Sequence, residues 1–188
     1  MDDSDLIRRC LTGDSHACAD LYQRWCGSVY HLAYGIVRQE QDAEEVTQDV
    51  FVYVLSRLGS FDPTKSAFRT WLYTITISRS RNKLRRKWLP TVEIDEWSES
   101  EAERGDETRP PEELSELQAE QERVWVALGK LSPKLREAVV LRYYENLTYP
   151  EIGQILNCPM RTIQSRVRLA HKELRRLLES ERHEQASG

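Results

Sequence analysis

The side chains with the clearest chemical use lie near the end of the chain. There Arg161, Thr162, Gln164, Ser165, Arg168 and Lys172 alternate with the apolar residues Ile163, Val167, Ala170, Leu174 and Leu177. The apolar set recurs every three or four residues, so it marks one face of a helix and leaves the polar set mostly outward. Arg and Gln can make paired hydrogen bonds to guanine and adenine edges in a major groove, and the remaining cations suit phosphates. A second group interleaves aromatic rings with cations: Phe68, Arg69, Trp71 and Tyr73, then Arg79, Arg81 and Lys83. Unstacked bases on a phosphate chain call for that mixture, although Trp71 and Leu72 suit a helical core equally well. A third group, Asp42, Glu45, Gln48 and Asp49 beside Phe51 and Tyr53, sets carboxylates next to aromatic rings. Capping and solvation account for such a face, and so does docking on arginines of another protein.

Patterns for catalysis are missing. The chain has no Gly-rich phosphate loop, no HExxH and no GxSxG, and His16, His31, His171 and His183 have no companions at ligand or triad spacing. The expectation is a protein with no catalytic residue, no metal and no cofactor. Cys10, Cys18, Cys26 and Cys158 include no Cys-x-x-Cys pair, and the His16-x-Cys18 step is a weak metal signal, so they read as buried thiols.

The elements that must position these groups are helical throughout. Thr148 and Glu151 have capping-box spacing, Pro150 suits a first helical turn, and Asn157, Cys158 and Pro159 interrupt the pattern. The stretch from Leu147 to Leu178 therefore reads as helix, turn, helix. In the first half, Leu6 to Cys10, Ala17 to Trp25 and Val29 to Val37 predict helices of a small bundle, punctuated at Gly13 and Gly27. A helix from Asp42 to about Leu58 carries the stripe Ala43, Val46, Val50 and Val54, with Asp42 and Glu45 spaced as a capping pair. Gly59 and Asp62-Pro63 end it. A last helix from about Ser66 to Trp88 turns from apolar to RSRNKLRRK.

The 188 residues carry a formal net charge of −4, and the mean hydropathy is −0.65. That small sum conceals segregation: residues 1–60 carry −5, 61–88 carry +7, 89–123 carry −10 and 124–188 carry +4. A +7 block is a local footprint for nucleic acid even at an overall pI near 5.7. No apolar run is long enough to span a membrane, and the N-terminus lacks a secretory pattern, so the expected location is the cytoplasm. The segment around Leu89 to Glu113 is rich in acids, Ser and Pro and reads as a flexible linker, dividing the chain into 1–88, an acidic linker 89–115, and 116–188.

The stretches DAEEVTQDVFVYVL, SAFRTWLYTITISRSRNKLRR and LSPKLREAVVLRYYENLTYPEIGQILNCPMRTIQSRVRLAHKELRRL resemble, in order, a bacterial RNA polymerase sigma factor of the extracytoplasmic-function (ECF) group. The resemblance implies an all-α chain with a sigma-2 bundle and a sigma-4 helix-turn-helix domain on a flexible tether. It implies binding to core RNA polymerase and to promoter DNA, both double-stranded and melted, with an anti-sigma factor as a further partner. With Gly188 soon after the recognition helix, no extra C-terminal regulatory domain is expected. By the same resemblance Asp42, Glu45, Gln48 and Asp49 dock on the polymerase. Phe68, Arg69, Trp71, Tyr73, Ser78, Arg79, Asn82 and Lys83 meet the melted minus-ten element. Arg161, Thr162, Gln164, Ser165, Arg168 and Lys172 read the minus-thirty-five element. Ser78 stands where many relatives have Asn, Arg161 and Gln164 where Gly and Lys are common, and Gly153 where Ala is frequent, so the promoter sequence does not transfer. Gly153 is expected to weaken its helix by up to ~1 kcal/mol while leaving its packing intact.

The linker from Leu89 to Glu113 would relax to roughly 27 Å and extend to ~80 Å, while two DNA elements two helical turns apart need ~70 Å. A third body must therefore spread the two halves. The main rival reading is a helix-turn-helix regulator whose first half senses or dimerises; another is an adaptor whose acidic helix and thiols bind a regulatory protein.

Overall fold

The computed structural model describes residues 2–88 and 116–186, and the acidic linker lies outside the described residues. Those described are helical, with no strand among them. The first set is α1 (Asp3–Leu11), α2 (Ser15–Val37), α3 (Glu40–Arg57) and α4 (Phe68–Trp88), with a 3-10 turn at Leu58–Ser60. The second is α5 (Glu116–Lys130), α6 (Pro133–Val139), α7 (Tyr149–Leu156) and α8 (Met160–Ala186), with α6 running into a π-helical turn at Val140–Tyr144.

Local chemistry sets most of the boundaries. The Asp2 carboxylate accepts the Asp5 amide at 2.8 Å, and Asp14 accepts those of His16 and Ala17 at 3.0 and 3.1 Å, so α1 and α2 each begin on an N-cap. Thr148 and Glu151 form the capping box of α7, as their spacing predicts. Asn157, at φ 49, closes α7 in the left-handed region that Asn tolerates.

Three expectations are corrected. Gly27 interrupts nothing: it lies inside α2, which spans Ser15–Val37 without a break, because the bundle packs both halves of that helix. The predicted start at Asp42 is late by two residues: α3 begins at Glu40 after an extended Gln39. Asp42 caps nothing there and instead sits buried, 4 % exposed, in ion pairs with Lys83 (3.3 Å) and Lys87 of α4. Nor are all the cysteines thiols. Cys10 and Cys18 form a disulfide with their Cα atoms 5.0 Å apart, because a helical hairpin brings together positions that spacing rules for metal pairs overlook; Cys26 and Cys158 are free.

Gly153 also differs from expectation. A Cβ there would lie 2.9 Å from the Cys158 carbonyl oxygen, while the Cys158 amide donates to the Gly153 carbonyl at 3.0 Å. The glycine lets the turn fold back on α7, and its helix-weakening cost is offset by that close return.

α2 runs through the first bundle, packed by α1, α3 and α4. Leu21, Leu32, Ala33, Ile36, Val50, Val54 and Leu72 are essentially inaccessible, and burial of each larger one contributes roughly 1.5–3 kcal/mol. This core does not stop at the domain boundary. It continues through Val140, Leu141, Leu147, Ile152, Ile163 and Val167, with α4 against α7 and α2 against α6 and the π turn. Gly35 marks the closest approach, where a Cβ would lie 2.8 Å from Cγ1 of Val140. A smaller cluster of Leu128, Leu131, Val139 and Ala170 joins α5 to α8.

Candidate nucleic-acid interface

In the second domain, Ile163, Val167 and Ala170 hold α8 against the core at 0, 3 and 0 % exposure. The first turn is fixed by the Pro159 carbonyl, which accepts the amides of Thr162 and Ile163. Arg161, Gln164, Arg168 and Lys172 are exposed, Thr162 and Ser165 half-buried, and none of the six makes a side-chain hydrogen bond or ion pair among the described residues. This helix therefore offers a basic face with its donors uncommitted, on a scaffold that fixes its start.

In the first domain, α4 buries Phe68, Leu72, Tyr73, Thr76, Ile77 and Ser80 along one side and leaves Arg85, Arg86 and Lys87 exposed beyond. Half-buried Trp71 packs against Phe61 and Phe68 with ring centroids 5.4 and 5.9 Å away. Ser78 is exposed and Asn82 half-buried, while Arg79 covers the Tyr53 ring at 4.8 Å. Lys83 is held by Asp42 and Glu45 of α3. Phe68 and Tyr73, expected among the DNA-contacting residues, are turned into the bundle at 5 and 1 % exposure. Trp25 of α2 packs edge-on against both rings, its centroid 6.0 Å from Phe68 and 6.3 Å from Tyr73, and so draws them into the bundle.

The second domain supplies carboxylates to this surface. Glu137, 2 % exposed, accepts Nε and Nη2 of Arg81, both at 2.7 Å, and this pairing raises the Arg81 pKa. Glu145, 8 % exposed, accepts the Tyr73 hydroxyl and lies 3.7 Å from the Arg69 guanidinium, which also donates to the Glu145 carbonyl. Burial, aided by Glu145, pushes the Tyr73 phenol up to about 12, so it remains a donor at neutral pH. Arg136 donates to the carbonyls of Leu128, Gly129 and Leu131 at the end of α5, and its Nη1 reaches the Ile36 carbonyl near the end of α2 at 2.8 Å. One cation thus serves two helix C-termini, although burial lowers its pKa. Arg38, in the left-handed region at φ 61, lies 4.9 Å from the centroids of both Tyr34 and Trp125. Sequence reading missed Glu137 and Glu145 because their side-chain partners lie in the other domain, and it missed the bridging by Arg136 and Arg38 because each has one partner across the junction, Ile36 and Trp125, that no local spacing signals. Beside this junction an open cleft of about 780 Å³ is lined by Tyr30, Tyr34, Glu40, Glu122, Trp125 and Tyr144 among others.

The outer side of α3 presents Glu45, Gln48 and Asp49 with Val52 (71 % exposed) and Tyr53. Asp42 and Phe51 are buried, so Asp42 departs from the outward role expected of it. Val52 enlarges the face and went unnoticed in the sequence, since an apolar residue in a helix reads first as core. The described residues include no group of three or more His, Cys, Asp or Glu arranged to hold a metal, and no helix long and apolar enough to cross a membrane.

Two helical domains, one with a helix-turn-helix whose basic face is uncommitted and one with an aromatic and basic helix, define a bipartite DNA-binding protein of sigma-factor architecture. The family models sigma-70 region 2 and sigma-70 region 4 match residues 21–89 and 121–174. The ECF RNA polymerase sigma factor SigK of Mycobacterium sp. (strain KMS) is 32 % identical over 166 residues, covering 87 % of this chain and 83 % of its own. The ECF sigma factor SigW of Bacillus subtilis (strain 168) is 28 % identical over 181 residues, covering 92 and 94 %. Among solved structures, CnrH in complex with the cytosolic domain of CnrY is similar at a TM-score of 0.70 and 25 % identity, covering 95 % of this chain and 97 % of that one. The sigma factor RpoE with the anti-sigma factor NepR from Bartonella quintana matches at 0.65 and 25 %, covering 85 and 97 %. The chain belongs to the ECF group of the sigma-70 family.

Proposed function

We propose that this chain is a transcription initiation factor that binds core RNA polymerase, brings it to a specific class of promoters and assists their melting. The observation that carries this reading is the pairing, in one chain, of an uncommitted basic helix-turn-helix face with the aromatic and basic α4. Arg161, Thr162, Gln164, Ser165, Arg168 and Lys172 read the upstream duplex element. Trp71, Ser78, Arg79 and Asn82 meet the melted strand, with Arg69 and Lys83 joining them once released from their carboxylates, while Phe68 and Tyr73 hold α4 in place. Glu45, Gln48, Asp49, Val52 and Tyr53 dock on the polymerase, and Asp42 braces that face from behind. The polymerase supplies the chemistry, the sigma factor supplies no catalytic residue, and it acts in the cytoplasm with the DNA.

In the closed arrangement, α7, Glu137 and Glu145 cover part of the α4 surface, so promoter engagement requires the domains to separate. The junction cleft is open to both domains, and an anti-sigma factor seated there would hold them together. Mixing the purified chain with core polymerase and a promoter library, then mapping transcript starts, tests the proposal. Initiation at one promoter class, dependent on the chain, is expected. DNA binding without stimulated initiation would instead favour a plain helix-turn-helix regulator.

A further inference from the structure

Cys10 ends the last turns of α1 and Cys18 lies in the first turns of α2, so their disulfide closes the hairpin across Thr12, Gly13 and Asp14. Other bonds already hold that hairpin. Arg9 donates from Nε and Nη2 to Asp14 at 2.9 and 2.6 Å, the Thr12 hydroxyl donates to the Arg9 carbonyl at 2.8 Å, and the amides of Gly13 and Asp14 return to α1 carbonyls. A Cα separation of 5.0 Å is therefore kept by non-covalent contacts as well, and the sulfurs stay within reach of each other when reduced. Both cysteines are only half-buried, so small reagents can reach them. Where proteins work beside thiol reductants, such a bond is transient and not permanent.

We propose that Cys10 and Cys18 are a reversible modification site, a dithiol that a hydroperoxide converts to a disulfide. One thiolate attacks a peroxide oxygen, the O–O bond breaks, and water or an alcohol leaves, giving a sulfenic acid. The second sulfur then displaces the hydroxyl, the S–S bond forms, and water departs with the remaining proton. Two electrons pass from the sulfurs to the peroxide, and a small dithiol returns them by exchange. The site itself does not depend on the function proposed above.

The bond acts on more than the hairpin. Leu11, next to Cys10, lies 3.7 Å from where a Cβ on Gly59 would sit, so the end of α1 supports the 3-10 turn at Leu58–Ser60. That turn leads directly to Phe61, whose ring packs 5.4 Å from both Phe68 and Trp71. Closing the disulfide stiffens the base of this aromatic group.

The full chain, reduced with dithiothreitol or oxidised with hydrogen peroxide, is alkylated, weighed intact and mapped by peptides. The oxidised chain should lose two alkylatable thiols, yield a Cys10–Cys18 peptide, melt roughly 5–10 °C higher and exchange its amides more slowly over 58–61. Dithiothreitol should reverse all four changes without unfolding the chain. Cys10→Ser and Cys18→Ser should each abolish the peroxide response, while Cys26→Ser and Cys158→Ser keep it; the wild-type comparison decides the matter even where a variant folds poorly. Cross-links through Cys26, Cys158 or a second chain would overturn the proposal. So would a bond that resists the dithiol until the chain unfolds, or melting and exchange that do not change with oxidation.

Discussion

Glu151 accepts the Thr148 amide and hydroxyl at 2.7 and 2.6 Å, and the hydroxyl bond leads the causes that hold its carboxyl below the ordinary value of 4.5. A depressed folded-state value means the capping box stabilises fully above the unfolded value and loses that contribution as pH falls through the folded one. Thr148→Ala should therefore cost about 1 kcal/mol at neutral pH. In urea titrations repeated near pH 3, the gap between variant and wild type should shrink. This box was legible in the sequence because both partners lie within three residues. Asp42 was not, since its partners Lys83 and Lys87 sit on another helix, and a carboxylate early in a helix resembles a cap. On α8, replacing Arg168 or Lys172 by Ala should weaken promoter binding uniformly and flatten its salt dependence. Replacing Arg161 or Gln164 should change which bases are preferred, at ~1–3 kcal/mol per base contact, as competition binding to a randomised upstream element would reveal.

Whole elements followed their apolar periodicity closely, and the misses have physical causes. Gly27 looks like a breaker, yet tertiary packing on both sides carries α2 through it, and nothing lies within 4 Å of the Cβ it lacks. Gly153 looks like a mild weakness, yet a Cβ there would meet the Cys158 carbonyl at 2.9 Å. The same substitution should thus have opposite signs in two helices. Gly27→Ala should stabilise by up to ~1 kcal/mol, the ordinary helix preference, and Gly153→Ala should destabilise, because the atom it meets is backbone with little room to yield. Chemical denaturation of the two variants side by side checks both signs. The helix-turn-helix was readable because a capping box, a turn and a second apolar stripe follow in order. The outward face of α3 was only partly readable, because helical spacing alone does not say that Val52 faces solvent.

At the scale of the molecule, the segregated charges found a use that composition did not reveal. The basic α4 is met by carboxylates of the second domain, Glu137 on Arg81 and Glu145 on Arg69 and Tyr73. These oxygens occupy guanidinium groups in the manner of phosphate oxygens, so the closed chain competes with the strand it is proposed to bind. Glu137→Gln should weaken the closure by roughly 1–3 kcal/mol, less than a fully buried pair would lose, because Arg81 is half-exposed. Small-angle scattering should show a larger radius of gyration for Glu137→Gln combined with Glu145→Gln, and fluorescence titration should show tighter binding of single-stranded DNA. An unchanged radius and affinity would mean that the apolar contacts alone hold the domains together.

Gly35 carries a consequence for descent. A methyl there would press on a β-branched side chain at 2.8 Å when the domains meet, and touch nothing of Val140 when they part. Ala is the better helix former by ~1 kcal/mol, so the open form would gain from the very change the closed form resists. Lineages of this protein that keep the closed form should inherit positions 35 and 140 as a matched pair, an added methyl on one compensated by a smaller side chain on the other. An engineered Gly35→Ala should favour the open chain, and adding Val140→Ala should let the domains meet again.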